Sequence, residues 1–142
     1  MGLGEETFEA FHASLRRCQA SPDFIARFYD KFVSAHPAVA AKFAGVDMRK
    51  QAVVLHASLH MVALASHGNE TAELYLSAVA KKHSRAELDI PSELYDLWLE
   101  SLMKAVADSD PHFSAAIERA WREILASGIA FMRSRYAPAD PA

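Results

Sequence analysis

Three side chains in this sequence have the type and position to do chemistry, and for two of them, His83 and Gln51, packing alone does not explain the residue choice. His83 closes a helical stripe with Leu76, Val79 and Ala80, while Gln51 lies on another with Met48, Leu55, Leu59 and Val62. Buried polar groups need partners, so each residue either bonds within the protein or faces a bound molecule. A neutral imidazole at a helix end serves as a metal ligand or as a donor to a backbone carbonyl, and both readings stand for His83. Tyr29, beside Ile25, Phe28 and Phe32, either fills the core with its hydroxyl at the edge or donates that hydroxyl into a site. The plain reading of Gln51 is a half-exposed residue at a helix start.

Other signals are weaker and mostly exclude functions. His56 and His60 stand four apart, the spacing of metal ligands on one helix. Position 57 is Ala, however, where a zinc hydrolase has Glu, and no third ligand follows at a suitable interval. Both histidines also fall off the apolar stripe of their helix. Cys18 is alone, which rules out an internal disulfide framework and fits a reducing compartment. Gly2-Leu3-Gly4 lacks the preceding strand and third glycine of a dinucleotide-binding turn. Lys plus Arg number 15 against 18 Asp plus Glu, with the signs interspersed, so no nucleic-acid partner is expected. The start is acidic and has no apolar signal, and Glu6 stands where a myristoylation motif needs Ser or Thr. With His56, His60 and Ser66 interrupting the longest apolar stretch, no membrane span is expected, and the location expected is cytoplasmic.

The elements that must position these residues read as helices throughout. The chain has 142 residues, 51% of them apolar, enough for one domain over 1–142 with a single core. Phe8, Phe11, Leu15 and Cys18 mark a first helix ending before Ser21-Pro22, and Ser21 is the expected cap of the second. A short helix runs from Pro37 to Phe43. Asp47 is the expected cap of a long helix closing near Gly68, and Thr71 that of the helix ending in His83. Pro91 and Pro111 each open a helix, the former through Leu94, Trp98, Leu102 and Val106, the latter to about Tyr136. Seven helices and a frayed tail over about 137–142 result. No internal repeat or second-domain linker interrupts them.

In this order the residues resemble the globin family, specifically single-domain bacterial globins similar to the haem domain of flavohaemoglobins. The resemblance covers nearly the whole chain. In FIARFYDKFVSAHP, Tyr29 and Pro37 match the second-helix tyrosine and the proline opening the third helix. Phe43, six residues after that proline, matches the haem-packing phenylalanine; Gln51 and Leu55 in QAVVL match the distal pair. His83 in AVAKKH matches the proximal histidine, and Trp121 a last-helix tryptophan. The fold implied is all-α, seven helices around a haem pocket, with the family's fourth short helix absent.

The resemblance implies haem b as cofactor, His83 as iron ligand, and Tyr29, Phe43, Gln51, Leu55, Val79, Lys82, Ile90 and Tyr95 as further pocket residues. Tyr29 and Gln51 would donate hydrogen bonds to a gas ligand, Leu55 would exclude water, and Lys82 would meet a haem propionate. A rotated distal helix would make His56 a sixth iron ligand, an arrangement the apolar stripe opposes. Dioxygen, nitric oxide and carbon monoxide are the implied ligands, and nitric oxide dioxygenation the implied reaction. The chain has no room for a flavin domain, so a separate reductase is expected; the oligomeric expectation is a monomer or weak homodimer. The alternatives are a gas- or redox-sensing haem module acting on a partner in trans, and a globin-shaped module without haem. Two departures stand out. The connection SRAELDIPSEL from His83 to Tyr95 is longer than in typical flavohaemoglobins, and the position of their late-helix glutamate falls on Tyr136. A neutral phenol there implies weaker electron push toward iron and little peroxidase-like activity.

Overall fold

The structure is a computed structural model that describes residues 4–85 and 87–135. Among these residues every regular element is an α-helix: α1 (Glu5–Ala20), α2 (Phe24–Ala35), α3 (Pro37–Phe43), α4 (Met48–Ser66), α5 (Glu70–His83), α6 (Ser92–Ser109) and α7 (Ala115–Ser134). The segment between α3 and α4 carries no helix of its own, as expected. The tail and Tyr136 lie outside the described residues.

Helix packing follows the apolar stripes. α2 packs on α6, α1 on α7, and α4 on both α5 and α7. Phe11, Leu15, Cys18, Phe28, Leu102, Val106, Trp121 and Ile124 are fully buried where these pairs meet. α4 and α7 approach so closely at Gly128 that a Cβ there would lie 2.9 Å from Val62 Cγ1, which explains a glycine in mid-helix. The core also encloses one carboxylate. Asp110, closing α6, accepts from Ser14 Oγ at 2.6 Å, from Arg17 Nε at 2.6 Å and from the His112 N–H at 2.8 Å. Trp121 Nε1 completes the chain by donating to Ser14 Oγ at 2.9 Å. Burial pushes the Asp110 carboxyl up, but these bonds and the Arg17 charge outweigh it and hold the group below its usual range.

Three helix starts differ from expectation, each for a local reason. Ser21 closes α1 instead of capping α2; the Ser21-Pro22-Asp23 turn delays α2 until Phe24, with Asp23 at the cap position. Asn69, not Thr71, caps α5 by accepting from the Ala72 N–H at 2.9 Å. Pro111 belongs to a turn, and α7 begins behind Ser114, whose hydroxyl accepts from the Ile117 N–H. Asp47 caps α4 as expected, accepting from the Arg49 and Lys50 N–H groups. None of the described helices is long and apolar enough to cross a membrane.

Candidate functional site

A cavity of about 460 Å³ opens between α2, α3 and α4 on one side and α5, α6 and α7 on the other. Every pocket residue expected from the sequence lines it: Tyr29, Phe43, Gln51, Leu55, Val79, Lys82, His83, Ile90 and Tyr95. Its walls are mostly aliphatic and aromatic, the pattern of a site for a cofactor or other small organic molecule.

His83 reaches the cavity from the last turn of α5. Its Nδ1 donates to the Val79 carbonyl one turn back at 2.8 Å, which fixes the ring and leaves the Nε2 lone pair as its acceptor. Burial lowers the His83 pKa, and Lys82 adds to that, against the opposing effect of the Val79 bond. The ring is therefore neutral at neutral pH, the form that ligates metals.

The long connection after His83 folds back onto the end of α5. The Ile90 N–H donates to the His83 carbonyl at 3.1 Å and the Asp89 N–H to the Ser84 carbonyl at 2.8 Å. Asp89 has a positive φ of 53°, a conformation that Asp tolerates better than bulkier residues. This turn brings Ile90 and Tyr95 to the cavity beside His83. Burial pushes the Tyr95 phenol up to about 12, so it too stays neutral.

On the opposite wall, Tyr29 projects from α2. Phe28 and Phe43 hold its ring, the latter edge-on at 5.6 Å, and burial pushes its phenol up to about 12. Its hydroxyl donates to the backbone carbonyl of Gln51 at 3.2 Å. The sequence pointed to the Gln51 side chain; the contact made here uses that residue's main chain, and Gln51 itself lines the cavity. Leu55, one turn further along α4, is buried at the same wall.

His56 does not line the cavity. It turns toward α1, where Gln19 Nε2 donates to its Nδ1 at 2.9 Å, and His60 Nε2 donates to Gln19 Oε1 at 3.2 Å. One amide thus holds both histidines in the α1–α4 seam, and among the described residues no group of three or more metal-ligating side chains occurs. Several lining residues were not singled out in the sequence: Lys42, Trp98, Leu125, Gly128 and Met132. Apolar ones among them carry the same helical period as core residues, so no sequence signal separates the two roles. Lys42 adjoins Phe43, and that adjacency is the one cue to its place.

Comparison with known proteins agrees with this geometry. The family described as Globin matches residues 26–132. A crystal structure of PA3967 from Pseudomonas aeruginosa PAO1, described as structurally highly homologous to a human hemoglobin, superimposes with a TM-score of 0.88. It is 38% identical, over 92% of this chain and 98% of that one. Among curated proteins none matches. The histidine-bearing cavity thus sits in a helical frame shared with a hemoglobin-like bacterial protein, and the chain belongs to the globin family.

Proposed function

We propose that the cavity holds haem b, with His83 Nε2 as the protein ligand to iron and the Tyr29–Gln51–Leu55 wall as the side on which gases bind. The observation that carries this reading is His83, a neutral imidazole lining an apolar cavity with Nδ1–H fixed on the Val79 carbonyl. The residues present fit the group: the walls are mostly apolar, an aromatic ring stands at Phe43, one ring nitrogen can ligate, and the formal charges among the described lining residues are those of two lysines.

When bound, haem supplies an iron that takes up diatomic gases reversibly. The chain does the rest. Donation from Nδ1–H to a carbonyl makes His83 a more basic ligand and sets its plane. Leu55 keeps water from the gas side. Tyr29 retains its proton at neutral pH and can swing it from the Gln51 carbonyl to a ligand carrying partial negative charge, while the Gln51 amide offers a second donor. This favours tight dioxygen binding, with carbon monoxide and nitric oxide as further ligands.

The finer reading is nitric oxide detoxification in the cytoplasm. Nitric oxide plus dioxygen plus one electron gives nitrate, so each turnover needs an electron from a separate reductase. The test is nitric oxide consumption by hemin-loaded protein supplied with dioxygen, NADPH and a flavin reductase. Many nitric oxide molecules consumed per haem are expected; a single one per haem would leave a gas-binding globin and overturn the enzyme.

A further inference from the structure

Of the described residues lining the cavity, only Lys42 and Lys82 carry a formal charge at neutral pH, and both are cationic. They come from different walls, α3 and the end of α5, and Leu88 joins them. Its N–H donates to the Lys82 carbonyl at 3.0 Å, and its own carbonyl accepts from Lys42 Nζ at 2.7 Å. A hydrogen-bonded path thus runs from α3 to α5 through the turn that follows His83. An ammonium has three donors, and a neutral carbonyl satisfies one of them without balancing the charge. A carboxylate would do both and bind it more strongly.

We propose that Lys42 is a carboxylate-binding residue of the cavity, which holds an anionic cofactor in place by pairing its ammonium with a cofactor carboxylate. The inference rests on the haem reading of the cavity and adds to it which end of the site receives the propionates. A cavity that is apolar along its length and cationic at one edge accepts a flat apolar ring with acidic substituents. Lys42 then serves two acceptors, the Leu88 carbonyl and a cofactor carboxylate, and its loss lowers retention of the cofactor without altering the iron ligand.

The experiment measures transfer of cofactor from loaded protein to an excess of a haem-free acceptor globin. Wild type, Lys42→Met and Lys42→Arg are each loaded with hemin or with hemin dimethyl ester, whose carboxylates are masked. Lys42→Met keeps the apolar stem of the side chain, and melting of the cofactor-free proteins checks that it folds. We expect Lys42→Met to lose hemin about three- to tenfold faster than wild type, the effect of one partly exposed charged bond, with Lys42→Arg near wild type. With the ester, wild type and Lys42→Met should match. Equal acceleration with both ligands would overturn the proposal, since Lys42 would then act only as a strap on Leu88; so would unchanged hemin loss. Wild type that takes up neither ligand would instead overturn the haem reading, and the proposal with it.

Discussion

Replacing Tyr29 with Phe removes one hydroxyl and keeps the ring that Phe28 and Phe43 hold. At 3.2 Å, the present bond to the Gln51 carbonyl is long for an O–H donor and contributes about 0.5 kcal/mol. A bond from the same hydroxyl to a partly anionic gas ligand contributes about 1.5 to 3 kcal/mol. The difference, about 1 to 2.5 kcal/mol, corresponds to oxygen release roughly 5- to 60-fold faster in the variant. The assay is stopped-flow displacement of dioxygen by carbon monoxide from the reduced, hemin-loaded protein. Because Tyr29 is anchored on the main chain of residue 51, Gln51→Leu should preserve that anchor and accelerate release less than Tyr29→Phe does. Release by Tyr29→Phe within about twofold of wild type, on the same scale, would refute the assignment of Tyr29 as the principal donor.

Further tests concern the frame around the site. Burial lowers His56 and His60 below the 6.5 of an unfolded histidine, with His12 and His56 adding to the effect on His60. As pH falls below 6.5 the unfolded chain binds more protons than the folded one, so cofactor-free protein should lose stability until the folded histidines are also protonated. Urea midpoints for His60→Gln should fall less steeply over that window, and a slope equal to wild type would contradict the argument. Asp110→Ala strips Arg17 and Ser14 of a fully buried acceptor. Breaking a buried pair costs about 3 to 5 kcal/mol, but Arg17 is 29% exposed and regains water, so about 2 to 3 kcal/mol is expected from urea unfolding. A loss under about 1 kcal/mol would mean the network contributes little. The wild-type contribution of Asp110, whose folded value lies below 3.8, is present above that pH and disappears as pH falls through the folded value.

The helical stripes made most of the fold legible, because Phe11, Leu15 and Cys18, or Leu102 and Val106, repeat with the period that buries one face. The ordered match of Tyr29, Phe43, Gln51 and His83 pointed to one pocket, although those residues come from four helices. Helix starts were less legible. Proline suits both a first helical turn and a tight turn before one, so Pro22 and Pro111 marked the neighbourhood of a start without fixing it. Asp110 reads as a polar loop residue in DSDP, and its partner Arg17 lies 93 residues away. No local pattern reports such a contact. Lys42 was hidden for a related reason: an exposed lysine looks solvated until the fold sets Leu88 beside it.

Whether His83 holds haem can be read from absorption spectra of the purified protein as oxidised, reduced, and reduced with carbon monoxide, beside a His83→Ala variant. Wild type should show a strong Soret band that shifts with each state and is perturbed by loss of His83, with imidazole added to the variant restoring the wild-type spectrum. A visible region that stays featureless after hemin addition, or a Soret band indifferent to His83→Ala, would rule out haem ligation by His83.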